Sequence, residues 1–273
     1  MKIYVDSADI DEIREAKENG LCDGITTNPS LIKKAVEKLK AGGREVKMEE
    51  YTKMLCEVAG KGCPVSLEVV SLKTEDMVKE AETLYRKFNG VAGNVVIKIP
   101  VSTSISENER HYEGLKAITM LAKKKIPVNA TLIMTPEQSL LAARAGAKYV
   151  SPFAGRVDDW IRKKLGVHFG KNDYFPMHGL ISDGKTIDDN GIASGVDLVK
   201  RTKVIFEKYG IKTKIIAASL RNARQVREVA ETGADIATIP FEVLGNMIKH
   251  PKTLEGIVKF SEDVVPEYKE LFG

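Results

Sequence analysis

The feature that most constrains this chain is a set of short apolar runs, rich in valine and isoleucine, recurring along its whole length. They fall at residues 2–6, 24–28, 65–70, 94–101, 128–134, 149–155, 215–220 and 236–241. Each is nearly continuous rather than alternating, as expected for parallel strands covered by helices on both faces. Between them the apolar spacing changes to a helical period, for example over 9–19, 74–88, 112–124, 136–145 and 222–231. Pro29 and Pro136 stand where a helix first turn tolerates a residue without an N–H, and Gly146 and Gly233 stand where a helix should stop. This strand–helix alternation calls for crossovers rather than hairpins. A weak internal echo agrees: AARAGAKYV at 142–150 and VAETGADIA at 229–237 both read as a helix end, a Gly-Ala turn and the next strand.

Eight strands are the number that closes a (β/α)8 barrel, whereas an open doubly wound sheet more often has five or six. The 273 residues suit one such barrel, which typically takes about 250, and no linker-like segment divides them. The expectation is therefore an α/β protein, a single (β/α)8 TIM barrel forming one domain over residues 1–273. Residues 166–194 break the rhythm, holding five glycines and little periodicity. They read as a long, partly irregular βα excursion on the active-site side. A C-terminal helix is expected over 253–272, where Leu254, Ile257, Val258, Phe260, Val264, Val265 and Leu271 follow a helical spacing interrupted by Pro266. It could cover its own barrel or pack on a neighbouring subunit.

Composition removes several classes of function. The net charge of +4, from 42 basic and 38 acidic residues, is too small and dispersed for a nucleic-acid footprint, though compatible with small anionic substrates. The longest basic run, Lys123 to Lys125, fits cations closing a helix C-terminus. No apolar run approaches the roughly 20 residues of a bilayer span, and the acidic start (Asp6, Asp9, Asp11, Glu12) is unlike a secretory signal. Cys22, Cys56 and Cys63 cannot form a closed disulfide framework, which suits a reducing compartment. The four histidines are scattered without metal-ligand spacing, so no metal site is expected. Together these features read as a soluble cytoplasmic protein with no nucleic-acid or membrane partner.

A barrel carries its chemistry at the C-terminal ends of its strands, so polar residues inside the apolar runs are the informative ones. Lys98, in Val-Val-Ile-Lys-Ile-Pro, stands out. Burial disfavours the ammonium and can leave a neutral amine able to attack a carbonyl; the alternative is a lysine that snorkels or pairs with a carboxylate. Asp6 ends the first run and Glu68 interrupts the third. They are candidates for proton transfer, or for ion pairs that neutralise Lys98. Thr26 and Asn28, Asn129 and Thr131, Ser151 and Phe153, and Ser219 and Arg221 are each two apart, so each pair could line one pocket if extended. Arg156 and Arg221 sit at strand-to-helix junctions, where a guanidinium beside helix N-terminal amides suits a phosphate. Arg156 could instead pair with Asp158 or Asp159.

The segments Asp6-Ser7-Ala8-Asp9, Gly24-Ile25-Thr26-Thr27-Asn28-Pro29-Ser30, Val96-Ile97-Lys98-Ile99-Pro100, Asn129-Ala130-Thr131-Leu132, Ser151-Pro152-Phe153-Ala154-Gly155-Arg156 and Ala218-Ser219-Leu220-Arg221-Asn222 resemble, in this order, the class I transaldolase family. The resemblance runs from residue 1 to about 250 and implies a (β/α)8 barrel needing no cofactor or metal. It implies transfer of a dihydroxyacetone unit from a ketose phosphate (sedoheptulose 7-phosphate or fructose 6-phosphate) to an aldose phosphate (glyceraldehyde 3-phosphate or erythrose 4-phosphate), in the non-oxidative pentose phosphate pathway. By matching position, Lys98 forms the Schiff base and Asp6 takes the proton at the cleavage site, while Glu68 and Thr131 hold a proton-relaying water. Thr26, Asn28, Asn129, Ser151 and Phe153 line the substrate site. Arg156, Ser219 and Arg221 grip the phosphate. The fructose 6-phosphate aldolase branch, which releases free dihydroxyacetone, typically has glutamine and tyrosine where this chain has Glu68 and Phe153, so the transferase is favoured. Relatives assemble variously, which implies a homo-oligomer of unstated size.

One motif points elsewhere. Gly179-Leu180-Ile181-Ser182-Asp183-Gly184-Lys185-Thr186 satisfies the nucleotide-binding pattern GxxxxGK[ST]. That pattern works when a strand feeds the loop and a helix follows it. Here Pro176 precedes it and a turn-like stretch, 187–191, follows, so nucleotide binding is the remote alternative.

Overall fold

A computed structural model describes residues 1–106, 111–168, 170–182 and 184–272. The chain begins β1 (Lys2–Asp6), α1 (Ile10–Glu18), β2 (Gly24–Thr26), α2 (Pro29–Ala41), α3 (Met48–Ala59), β3 (Val65–Glu68), α4 (Thr74–Ala92) and β4 (Val95–Pro100). It continues α5 (Glu113–Lys123), β5 (Val128–Ile133), α6 (Pro136–Arg144), β6 (Tyr149–Pro152) and α7 (Ala154–Leu165). A small hairpin, β7 (Leu180–Ser182) and β8 (Lys185–Ile187), precedes α8 (Gly195–Lys208). The remainder is β9 (Lys214–Ala217), α9 (Ala223–Glu231), β10 (Ile236–Ile239), α10 (Phe241–Met247), α11 (Pro251–Glu262) and α12 (Pro266–Lys269).

All eight expected strands form, most of them a few residues shorter than the apolar runs, and they close a parallel barrel in the order β1-β10-β9-β6-β5-β4-β3-β2. The architecture is a (β/α)8 TIM barrel. Helix entry follows sequence chemistry: Asn28, Thr135 and Asn222 each accept a backbone N–H at an N-cap, and Pro29 and Pro136 take the first helical position. Lys123 and Lys124 close α5 as expected, with Lys124 ion-paired to Glu82.

Strand alternation divides the buried side chains into two sets. Outward residues such as Ile25, Val65, Ile97, Ile99, Ile215 and Ala237 join the helices in one continuous core. Inward residues at the N-terminal end of the barrel form a separate apolar floor of Tyr4, Val96, Tyr149, Ile216 and Ile236. Gly24 makes room for that floor, since a Cβ there would lie 2.4 Å from the Tyr4 ring. Burial, with Tyr149 beside it, pushes the Tyr4 phenol well above its ordinary value.

Residues 166–194 depart from expectation in position and content. They follow α7 rather than a strand, so they form an inter-helix connection and not a βα loop. α7 and α8 begin side by side, because the Asp158 carboxylate near the start of α7 accepts the Gly195 N–H at 2.7 Å. The chain therefore descends α7, climbs back through the excursion to the C-terminal face, and descends again in α8. Asp158 also accepts from Phe175 N and Gln225 Nε2, each at 3.2 Å. Burial pushes its carboxyl up to about 7.

The GxxxxGK[ST] match falls on the hairpin. Lys185 and Thr186 lie in β8, where a phosphate loop would begin a helix, and Asp183 lies outside the described residues. At the C-terminus the helical spacing is split as Pro266 requires: α11 ends at Glu262 and α12 starts at Pro266. No residue of α11 is buried, and Leu254, Ile257 and Phe260 are more than half exposed. Cys22 and Cys63 lie just ahead of β2 and β3 with sulfurs 3.8 Å apart. No helix among the described residues is long and apolar enough to cross a membrane.

Candidate active site

Two residues above the apolar floor, the inward positions become polar. β1 passes from Tyr4 to Asp6, β4 from Val96 to Lys98, β6 from Tyr149 to Ser151 and β10 from Ile236 to Thr238, while β3 is polar at both steps, Ser66 and Glu68. Parallel register brings neighbours level: Glu68 pairs with Lys98, Lys98 with Asn129, and Asp6 with Thr26. Lys98 is 4% exposed. Its Nζ lies 3.0 Å from Glu68 Oε2 and donates to the Thr27 carbonyl at 3.0 Å. The ion pair is not aligned as a hydrogen bond, so Glu68 Oε2 is buried with no hydrogen-bond partner among the described residues. Snorkelling is thus ruled out, and pairing holds for Glu68 alone.

Asp6 is held by hydroxyls instead. Its Oδ1 accepts from Thr26 Oγ1 at 2.8 Å, and Thr26 in turn meets Thr238 Oγ1 at 2.5 Å. Burial raises the Asp6 carboxyl above the ordinary value and the nearby Glu68 adds to this, while the Lys98 charge and the Thr26 bond oppose it. A carboxylate so placed can take up a proton more readily than one in water.

Across the barrel, Ser151 Oγ donates to Asn129 Oδ1 at 2.7 Å, and Asn129 Nδ2 donates to Ser66 Oγ at 3.3 Å. Thr131 Oγ1 is buried without a partner among the described residues. Here β5 slips register against β6 between Ala130 and Ile133, and Leu132 takes φ +55°. Bulges of this kind re-aim side chains next to active sites. Asn28 spends its carbonyl oxygen capping α2 through Leu31 N at 3.0 Å, leaving its amide donors for the cavity it lines.

The rim is built differently from the strand rule. β9 ends at Ala217, and Ser219 takes φ +60°, so Ser219 and Arg221 reach the site through a turn rather than by extended alternation. Their packing needs glycine at 155, because a Cβ there would lie 2.4 Å from Arg221 Nε and 3.0 Å from Ser219 Oγ. Arg221 Nη2 donates to Asp159 Oδ2 at 2.6 Å, while its Nε is buried with no partner among the described residues. Arg156 pairs with neither Asp158 nor Asp159: the first serves backbone and amide donors, the second holds Arg162 and Arg221. Phe153 places its ring centre 5.9 Å from Lys98 Nζ. Asp6, Thr26, Asn28, Lys98, Ser151, Phe153, Arg156 and Ser219 thus share one cavity of about 140 Å3. Arg221 lines an adjoining cleft, and Glu68, Asn129 and Thr131 do not line the cavity wall. Among the described residues no group of three or more His, Cys, Asp or Glu is arranged to hold a metal ion.

The whole chain is similar to known proteins. Residues 3–271 match the profile of the family described as transaldolase/fructose-6-phosphate aldolase. Probable transaldolases from Thermoplasma volcanium and Geobacter metallireducens are 42% and 43% identical over 263 residues, covering 96% of this chain and 95% and 97% of theirs. One from Methanococcus maripaludis is 40% identical over the same length, covering 96% of this chain and 97% of its own. The chain belongs to the transaldolase/fructose-6-phosphate aldolase family.

Within this transaldolase-like enzyme, four contributors escaped the sequence reading. Thr27 acts through its carbonyl, which no side-chain pattern reveals. Ser66 and Thr238 are polar residues in apolar runs, the same signal that exposed Glu68 and Lys98, and both could have been found by it. Asp159, weighed above only as a partner of Arg156, meets Arg221 instead, and this pairing across 62 residues carried no local mark.

Proposed function

We propose that this enzyme is a transaldolase, transferring a dihydroxyacetone unit from sedoheptulose 7-phosphate or fructose 6-phosphate to glyceraldehyde 3-phosphate or erythrose 4-phosphate. The observation that carries the reading is Lys98: a buried amine at a strand end, 3.0 Å from a carboxylate oxygen, in a cavity that it shares with Asp6. Lys98 passes a proton to Glu68 and its Nζ adds to the ketose carbonyl carbon. Glu68 returns the proton as the hydroxyl leaves as water, directly or through a water near Thr131, giving the imine. The Asp6 carboxylate takes the proton from the hydroxyl beside the scissile bond. That carbon–carbon bond breaks, its electron pair enters the imine to give an enamine on Lys98, and the aldose phosphate departs. The enamine attacks the carbonyl of the incoming aldose phosphate, Asp6 returns its proton, and hydrolysis frees Lys98. Asn28, Asn129 and Ser151 hold the triose hydroxyls, and Arg156, Ser219 and Arg221 hold the phosphate, for which the unpaired Arg221 Nε is a ready donor.

Phe153 favours transfer over free aldolysis, because a phenyl ring near Lys98 cannot orient water against the enamine as a phenol could. Residues 1–273 act as one domain, in the cytoplasm and the non-oxidative pentose phosphate pathway. The chain assembles as a homo-oligomer, for which the apolar face left open on α11 is the support. Borohydride with fructose 6-phosphate should leave a mass adduct on the Lys98 peptide that Lys98→Ala removes; no increment there would overturn the Schiff-base reading. Rapid dihydroxyacetone release from fructose 6-phosphate without erythrose 4-phosphate would assign the aldolase activity instead.

A further inference from the structure

The cavity at Lys98 is too small for a whole sugar phosphate. Its volume of about 140 Å3 lies below the roughly 300 Å3 at which sites for drug-sized ligands begin. It suits the three-carbon unit and little beyond. A second cleft of about 400 Å3 opens beside it and shares Asp6 as a wall. Because the bond to be cleaved lies at Asp6 in the mechanism above, the phosphate-bearing half of the substrate has to leave the small cavity there. Arg221 lines this cleft, with Lys34 and Lys38 of α2 and Lys171 of the excursion.

These cations are not equally available. Lys38 is paired with Asp9 at 2.5 Å and Arg221 with Asp159 at 2.6 Å. Lys34 and Lys171 have no ion pair among the described residues, and of these two it is Lys171 whose segment is docked beside Arg221. Asn222 Nδ2, next to Arg221, donates to the Asn172 carbonyl, next to Lys171, at 2.7 Å. Asp173 caps Gly170 N at 2.6 Å, and Glu228 accepts from Tyr174 Oη at 2.7 Å and from Met177 N at 2.9 Å. Asp158 accepts from Phe175 N. The excursion thus brings an ammonium without an ion pair among the described residues to the wall where Arg221 stands, in a cleft that Asp6, Asp9, Glu12 and Glu242 also line. Two cations converging on one cleft are favourable when an anion lies between them.

We infer that Lys171 is a specificity-determining residue that contacts the substrate phosphate, an inference that rests on the sugar-phosphate reading above. The excursion then adds a cation beside Arg221 on the cleft side of the phosphate, while Arg156 and Ser219 reach it from the small cavity.

Calorimetric titration with inorganic phosphate at low salt tests this without turnover. Lys171→Met should weaken phosphate binding by roughly three- to fivefold, as expected for one partly exposed charge pair, and Lys171→Arg should restore it. The KM for fructose 6-phosphate should rise by the same factor with kcat unchanged, and the loss should shrink at high salt. Phosphate affinity in Lys171→Met equal to the parent protein would overturn the assignment. An equal loss in Lys34→Met would overturn it too, by assigning the effect to the general charge of the cleft. Failure of the Lys98 borohydride adduct would bring down the transaldolase reading separately, and the phosphate titration would still decide Lys171.

Discussion

The floor and the upper layer of the barrel interior are built by the same strands, two residues apart, and behave as different materials. At the floor, Tyr4, Val96, Tyr149, Ile216 and Ile236 fill the interior with apolar bulk. One step up, Lys98, Asn129, Ser151 and Thr238 are just as buried and are all polar, with Asp6 partly exposed beside them. The floor gains stability from area removed from water. The upper layer sets the desolvation of two carboxylates and an ammonium against one ion pair and a few hydroxyl bonds. Strand alternation gives this division without any change of backbone: one period of two separates packing from chemistry.

The sharpest test of that division is Lys98→Ala. It should abolish activity by more than ~10^4-fold, as loss of a covalent nucleophile does, while circular dichroism still reports a folded barrel; an active variant would break the comparison. Asp6→Asn follows, with kcat falling by roughly 10^2 to 10^4-fold in steady-state assays and the Lys98 adduct still forming. The floor should respond the other way. Ile216→Ala should cost about 2–5 kcal/mol of stability in urea unfolding but leave kcat of the folded fraction within a few-fold. Gly24→Ala, which would drive a Cβ into the Tyr4 ring, should cost about 1–3 kcal/mol through overpacking, again without a change in pH profile. The smallest effect belongs to Thr26→Val. In the proposed mechanism Asp6 works deprotonated, and burial raises its carboxyl above the ordinary value, so activity should fall as pH drops through that raised value. Removing the Thr26 hydroxyl deletes a bond that favours the charged form, so the acidic limb of kcat/KM should move to higher pH, by up to about one unit. A shift to lower pH would show that the hydroxyl does not serve the carboxylate.

Much of this was legible in the sequence because buried parallel strands are hard to disguise. Eight apolar runs gave the barrel, and polar residues inside them gave Asp6, Glu68, Lys98, Asn129, Thr131 and Ser151, since burying such groups is costly enough to be informative. What escaped was set by geometry rather than composition. The slip in β5 changes register by a residue without marking the sequence, so the turn at Leu132 was invisible. Ser219 and Arg221 were paired on the assumption of an extended strand, and a left-handed residue brought them to the rim instead. The three-residue strands of the 180–187 hairpin are too short to show a period. The excursion was assigned to a βα loop because a helix ending at Leu165 and another beginning at Gly195 on the same face leave no mark in apolar spacing.

That doubled descent separates two design problems. Because the excursion leaves after one helix is complete and returns to start another, it contributes no strand to the barrel, and the β6–β9 pairing closes across it without fixing its length. The entropic cost of lengthening such a loop grows only logarithmically. Residues that meet the outer end of a substrate can therefore be exchanged, extended or trimmed there while the register that holds Lys98 level with Glu68 stays untouched. On the proposed reading, the part of the chain that would choose the ligand can change without rewriting the part that would perform the chemistry.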